Sequence, residues 1–375
     1  MKLILKIKLL PSKEQYDLLV TTMKDANAAC NAISNISWDC CIFNQFKLHK
    51  EVYHHLKATT NLSSQIIIRC ISKVSDSYKL DKKRKRLFKP LGSISYDSRI
   101  ISYKDNDTVS IWSIGGRLKI PFICHNRSYI PFIKGEADLI EKNGKLYIFQ
   151  TIDIPNKDTE VVESFIGCDF GLTDIITTSD GLRYSSDWIN TYREFRQNIR
   201  SSIQSKGTRN SKKLLKRLSG KERTTATIQN HTISKRIINN AKLQHKGIAI
   251  EDLTYIRFTS NRRNKKITTK MNRWSFRQLR SFMEYKAALN GVKLIIVEPA
   301  YTSKTCSNCH HIGTRKNKHF KCDNCGHNED ADINASKNIA TLGALVNMPE
   351  KSDMYSCSVH YLGLKSASTA LAVIG

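Results

Sequence analysis

The chain has 375 residues, with 61 Lys and Arg against 33 Asp and Glu, for a formal charge of +28. That length allows two or three domains with a sizeable core, and the cationic surplus favours phosphate backbones, because each neutralised phosphate releases condensed counterions. It argues against a membrane protein: no apolar run would span a bilayer, and Lys6 and Lys8 interrupt the apolar start that a secretory signal would keep whole.

Lys2 to Leu10 alternates, with Leu3, Leu5, Ile7 and Leu9 on one face and Lys2, Lys6 and Lys8 on the other, which predicts a strand with one wet side. Pro11 ends it. Ser12 and Gln15 spell a capping box, and Tyr16, Leu19, Met23, Ala26, Cys30 and Ile33 recur at helical spacing. A shorter helix is expected around Lys50 to Lys57, and another over Gln65 to Tyr78, where Ile67, Ile71, Val74 and Tyr78 share a face. Residues 11–79 thus read as a helical unit inserted after the first strand.

Lys79 to Lys89, K-L-D-K-K-R-K-R-L-F-K, is the densest positive stretch. By composition it is equally a solvated linker or a phosphate-tracking segment, and Lys82, Lys83, Arg84, Lys85 and Arg86 are its candidate nucleic-acid contacts. Short β runs follow at Ile94 to Tyr96, Ile100 to Tyr103, Val109 to Ser113, Leu118 to Phe122, Ala137 to Glu141 and Lys145 to Ile154. They are separated by turn signals at Asp105-Asn106-Asp107, Gly115-Gly116 and Asn143-Gly144. Together with the first strand they predict a small barrel over residues 1–10 and 80–163.

From Ser164 the texture changes. S-F-I-G-C-D-F reads as a buried strand ending in Asp169, followed by a meander through Ile175 to Thr178, the Ser179-Asp180-Gly181 turn and Leu182 to Ser185. Trp188 to Leu243 is helical and basic with breaks near Gly207 and Ser219-Gly220; Lys212, Lys213, Lys216 and Arg217 are its candidate phosphate contacts. I-A-I-E-D, Ile248 to Asp252, is a second buried strand ending in acid. A mobile loop is expected over Tyr255 to Met271, a helix over Trp274 to Ala287, and a third buried strand over Lys293 to Glu298. Asp332 to Leu342 reads as a last helix, and the tail from Gly343 is expected to be partly disordered.

Strand-acid, meander, helices, strand-acid, helix, strand, then a helix opening with acid is the order of a ribonuclease H-like sheet. Asp169, Glu251 and a carboxylate of the last helix could gather two hard divalent cations that hold the attacking and leaving oxygens of a phosphodiester. For the last acid, Asp330 suits a helix cap, which leaves Asp332 as the choice of ligand. Cys306, Cys309, Cys322 and Cys325 form C-x₂-C-x₁₂-C-x₂-C, the spacing of a tetrahedral Zn²⁺ site; four thiolates leave no open position, so its role is structural. Cys30, Cys40, Cys41, Cys70, Cys124, Cys168 and Cys357 follow no pattern and are expected to be free thiols in a reducing intracellular compartment.

The runs I-G-C-D-F-G-L-T-D-I-I-T-T-S-D-G, I-A-I-E-D-L, V-K-L-I-I-V-E-P-A-Y-T-S-K-T-C-S-N-C, F-K-C-D-N-C-G and D-I-N-A-S-K-N-I resemble the split RuvC nuclease and zinc-ribbon motifs of TnpB proteins, transposon-encoded RNA-guided DNA endonucleases related to type V CRISPR effectors. The resemblance covers Ser164 to Ala340 most strongly; the N-terminal part matches in layout and in its L-x-P-S-x-x-Q opening. It implies an α/β multidomain protein in which a β-barrel wedge domain carries a helical recognition insertion (11–79). A ribonuclease H-like RuvC domain (164–302 and 329–342) follows, with a zinc-ribbon insertion (303–328). It further implies Asp169, Glu251 and Asp332 as catalytic Mg²⁺ ligands acting on both strands of double-stranded DNA in turn. A guide RNA derived from the transposon end would direct them, next to a short target-adjacent motif, in a prokaryotic cytoplasm. Many members have an Arg between the two acids of the last motif, where this chain has Ala331. An RNA-guided binder that represses without cutting, and a guide-free RuvC-like structure-specific nuclease, are the other functions open to these residues.

Overall fold

The alternation at the start of the chain becomes β1 (Lys2–Leu9), with Leu3, Leu5, Ile7 and Leu9 all buried. A computed structural model of the chain describes residues 1–104, 107–254, 274–347 and the backbone of 373–374, in two units divided after Pro155. The loop expected over Tyr255 to Met271, Cys357, most of the Asp105-Asn106-Asp107 turn and the tail beyond Asn347 lie outside the described residues.

In the first unit β1 leads into α1 (Lys13–Asp39), α2 (Gln45–Thr59) and α3 (Ser64–Leu80). Ser12 and Gln15 form the capping box that opens α1. The shorter helix begins earlier than its apolar pattern suggests, because the Asn44 side chain accepts the amides of Phe46 and Lys47. Ser34 and Tyr78 are hydrogen bonded at 2.9 Å between α1 and α3, and the Cys30 and Cys70 thiols are buried in the same seam. The basic run is pinned back on α1: Asn31 exchanges two hydrogen bonds with the backbone of Phe88, and Ser34 donates to the Arg86 carbonyl.

The remaining strands of this unit are β2 (Ile94–Tyr96), β3 (Ile101–Lys104), β4 (Thr108–Ser113), β5 (Gly116–Ile123), β6 (Ile133–Lys142) and β7 (Lys145–Asp153). They pair in the order β2-β6-β7-β1-β5-β4-β3, with Val373–Ile374 added in parallel on β1. The sheet is barrel-like and nearly closed. Tyr96 of β2 donates to the Trp112 carbonyl of β4 at 3.1 Å, and Tyr103 of β3 to Gln150 Oε1 of β7 at 2.9 Å. β6 starts four residues before its apolar run, since a register shift between Ile133 and Ala137 accommodates Gly135 at φ +93°.

The second unit is built on β8 (Phe165–Asp169), β9 (Asp174–Thr178), β10 (Arg183–Ser185), β11 (Gly247–Glu251) and β12 (Leu294–Val297), ordered β10-β9-β8-β11-β12. β8, β11 and β12 are mutually parallel, whereas β9 and β10 run antiparallel. The basic helical stretch resolves into α4 (Asp187–Ser205), α5 (Arg209–Leu218) and α6 (Lys221–Leu243), broken at Gly207 and Gly220, both with positive φ. α7 (Phe276–Asn290) follows.

Side chains alternate along the two central strands. Ile166, Cys168, Ile248 and Ile250 pack with Ile237 of α6 and Leu279 and Met283 of α7. Phe165 and Ala249 pack on the other side with Ile339 of α8 (Ala331–Asn347). By this parity Asp169 and Glu251 sit on the α8 side.

Two expectations need correction. The strand after α7 is half-buried apart from Val297, because β12 is the sheet edge with one neighbour. The last helix also continues through Gly343 to Asn347, whose side chain donates to the Val162 carbonyl at 2.8 Å; the missing side chain at Gly343 lets α8 lie against Ala249.

Gly167 in β8 has no room for a side chain, since a Cβ there would fall 1.9 Å from the Ser336 carbonyl oxygen of α8. Gly167→Ala should lower the thermal midpoint of the protein by on the order of 10 °C, as the overpacking forces strand and helix apart. Differential scanning calorimetry checks this, and an unchanged midpoint would contradict the backbone contact.

Candidate functional site

The parallel register aligns Ile250 with Cys168, so Asp169 and Glu251 end neighbouring strands side by side. Glu251 is buried and Asp169 partly so. Burial pushes the Asp169 carboxyl up to about 7, with repulsion from Glu251 and then Asp332 adding to it and Arg315 opposing. Burial also raises Glu251, against the lowering effect of the Thr302 hydroxyl, which donates to Glu251 Oε1 at 2.5 Å, and of Arg315. Asp332 joins from the first turn of α8.

Asp330 is the helix cap. Its Oδ1 accepts the amides of Asp332 and Ile333 at 3.0 and 3.2 Å, and its Oδ2 pairs with Arg183 at 3.1 Å. Asp330 is committed to the start of α8, and of the two acids Asp332 has the larger electrostatic effect on Asp169.

Arg315, Lys318 and Asp174, like Thr302, carry no signal in the sequence. The hairpin of β13 (Thr314–Lys316) and β14 (His319–Lys321) brings Arg315 Nη2 to 2.8 Å from Asp332 Oδ1 and Lys318 Nζ to 3.4 Å from Asp332 Oδ2. Lys318 also pairs with buried Asp174 at the start of β9. In a chain with 61 cations two more in a basic loop do not stand out, and Asp174 reads as an ordinary turn residue.

The cysteines converge. The Sγ atoms of Cys306, Cys309, Cys322 and Cys325 all lie within 4.8 Å of one another, with Cys306–Cys325 at 3.7 Å and Cys309–Cys322 at 3.5 Å. Among the described residues no other group of three or more His, Cys, Asp or Glu side chains converges in this way. The two knuckles repeat one backbone pattern. Cys306 N–H donates to the His311 carbonyl and His310 N–H to that of Cys306, while Cys322 N–H donates to the His327 carbonyl and Gly326 N–H to that of Cys322. Four soft donors at this spacing fit Zn²⁺, and the all-oxygen set of Asp169, Glu251 and Asp332 fits a hard divalent cation that would relieve the repulsion raising Asp169.

Asn334 and Asn338, one turn apart on α8, tie the first knuckle to the acid-bearing helix. Asn334 accepts the Ser307 amide at 2.9 Å and donates to the Thr305 carbonyl at 2.7 Å, and Asn338 donates to the carbonyls of Thr302 and Thr305 at 2.9 and 2.7 Å.

The basic candidates behave differently from one another. Lys82, Lys83, Arg84, Lys85, Lys212, Lys213, Lys216 and Arg217 are exposed, but Arg86 is half-buried and paired with Asp81. Among the described residues no helix is long and apolar enough to cross a membrane.

Residues 276–339, from α7 through the knuckles to α8, match the family model "Cas12f1-like, TNB domain". A TnpB-like protein of Methanocaldococcus jannaschii is 36% identical over 129 residues, covering 34% of this chain and 46% of its own. The CRISPR-associated endodeoxyribonuclease Cas12f1 of Sulfoacidibacillus thermotolerans is 38% identical over 115 residues, covering 30% of this chain and 26% of that protein. A Streptomyces pristinaespiralis protein, provisionally named an RNA-guided DNA endonuclease, is 29% identical over 198 residues, covering 48% of this chain and 45% of its own. The chain therefore spans at most about half the length of each of these relatives. Over the matched stretches, the chain is similar to TnpB-like and Cas12f proteins.

Proposed function

We propose that the protein is an RNA-guided DNA endonuclease that cuts double-stranded DNA at one RuvC-type, ribonuclease H-like site formed by Asp169, Glu251 and Asp332. The observation that carries this reading is the pair Asp169 and Glu251 at the ends of two adjacent parallel strands, where burial, Glu251 and Asp332 push the Asp169 carboxyl up to about 7. Perturbed acids of this kind, with oxygen donors only, suit two divalent cations such as Mg²⁺. When bound, those ions supply the charge that activates a water and stabilises the leaving oxygen of the phosphodiester. Asp169, once deprotonated, would hold such an ion together with Glu251 and Asp332; Thr302 orients Glu251 through its hydroxyl, and Asp330 fixes the start of the helix that bears Asp332. The cysteine tetrad holds a structural Zn²⁺ and forms a zinc-ribbon beside these acids. The name of the Streptomyces relative supports guidance by RNA. Pairing between guide and target would carry sequence recognition, and the exposed cations of Lys82 to Lys85 and of α5 would hold phosphates without reading bases.

Asp169→Ala or Glu251→Ala should reduce cleavage of guide-matched DNA in Mg²⁺ by roughly a thousandfold, the rate equivalent of several kcal/mol of lost charge stabilisation, while leaving RNA binding intact. Uncut DNA with the unaltered protein and its co-expressed RNA would instead identify a binder without nuclease activity.

A pH dependence follows from the raised Asp169 and Glu251 groups. The folded protein keeps protons that the unfolded chain releases between about pH 4 and 7, so this contribution to stability is complete at low pH and lost as pH rises through about 7. In metal-free buffer the thermal midpoint should fall between pH 5 and 8, and added Mg²⁺ should raise it more at pH 8 than at pH 5.

Elemental analysis should find one zinc per chain. Cys322→Ser should lose it and give a lower yield of folded protein, because binding of the ion is coupled to folding of the knuckles.

A further inference from the structure

We propose that Arg315 and Lys318 are a built-in counter-ion for the carboxylate cluster, which a divalent cation must displace before Asp332 can serve as its ligand. The proposal rests on the reading of Asp169, Glu251 and Asp332 as a divalent-cation site.

The hairpin delivers the two cations with little freedom in its backbone. Lys316 pairs with His319, so Asn317 and Lys318 form the turn, with Asn317 in the left-handed region at φ 54°. The Lys318 carbonyl accepts the amide of Ala331, the first residue of α8, at 2.8 Å, which attaches the hairpin tip to the helix that bears Asp332. Arg315 Nε donates to the Asn317 carbonyl at 3.2 Å, aiming the guanidinium back toward the acids, where Nη2 meets Asp332 Oδ1 at 2.8 Å. Lys318 bridges two carboxylates, pairing with Asp174 and lying 3.4 Å from Asp332 Oδ2.

The charge balance favours displacement rather than permanent closure. Arg315 and Lys318 pair with Asp332 and Asp174, so two cations stand beside a cluster of four acids, Asp169, Asp174, Glu251 and Asp332. Arg315 and Lys318 are 34% and 39% exposed, against 13% for Asp332, so the cationic ends can swing into water while the carboxylate stays. Rotation of two side chains is enough; neither the ribbon backbone nor α8 has to move. A site of this design keeps its acids compensated until a divalent ion arrives, and its apparent metal affinity is reduced by the strength of the internal ion pairs.

The test is Mn²⁺ titration of the zinc-loaded protein by calorimetry, with electron paramagnetic resonance of free Mn²⁺ as a second readout. Arg315→Gln and Lys318→Gln should each bind Mn²⁺ more tightly, by on the order of tenfold for the arginine, whose hydrogen bond to a charged group is the stronger. Arg315→Lys, which keeps the charge, should stay near the unaltered protein. The metal-free thermal midpoint of Arg315→Gln should lie below that of the unaltered protein and meet it at saturating Mn²⁺. Unchanged or weaker binding in both Gln variants, with Mn²⁺ binding to the unaltered protein lost in Asp169→Ala, would overturn the counter-ion role alone. Mn²⁺ binding that survives Asp169→Ala would overturn the carboxylate site itself.

Discussion

The second unit depends on a backbone-to-backbone contact between α8 and the sheet. Gly167 lets the Ser336 carbonyl of α8 come so close to β8 that any side chain would collide, and Gly343 does the same against Ala249 one strand over. At the distance usual for a helix on a sheet, with side chains between, Asp332 would stand back from the strand ends. Close contact instead places its carboxylate where it is felt by Asp169, two residues beyond Gly167. On that side of β8 and β11 the small residues are Gly167, Gly247 and Ala249, and Gly167 and Ala249 are the two that meet α8.

Much of this geometry is legible in period-two patterning. Once Ile166, Cys168, Ile248 and Ile250 are assigned to the helix-covered side, Asp169 and Glu251 fall on the opposite one together, and parallel pairing puts them in register. Cap chemistry is similarly local: Ser12 with Gln15, and Asp330 before α8, announce helix starts because their partners lie two or three residues away. Asn44 carries a weaker signal, because the apolar pattern after it is thin in its first turn.

What the sequence hides is set by contacts far apart along the chain. Lys318 and Asp174 are separated by 144 residues, and Thr302 and Glu251 by 51, so no spacing rule links them. Burial of β12 was overread for a related reason, since an apolar run looks alike on a central strand and on an edge. The basic segment after α3 shows the reverse: its composition fits a solvated linker and a phosphate-tracking segment equally, yet Asn31 and Ser34 of α1 hold its backbone at Phe88 and Arg86. Charge density describes what the side chains prefer and says little about where the main chain is fastened.

The Asn334 and Asn338 tethers have a consequence for the order in which the molecule is made. Asp169 and Glu251 leave the ribosome well before Asp332, and between them and it come the four cysteines and the carbonyls that the two asparagines hold. The knuckles close through bonds spanning only four or five residues, so they can set during synthesis, ahead of the helix that follows them. α8 is made after the segments it packs on. The carboxylate of Asp332 is thereby the last of the three acids to be synthesised, and a nascent chain holds an incomplete acid cluster until α8 docks.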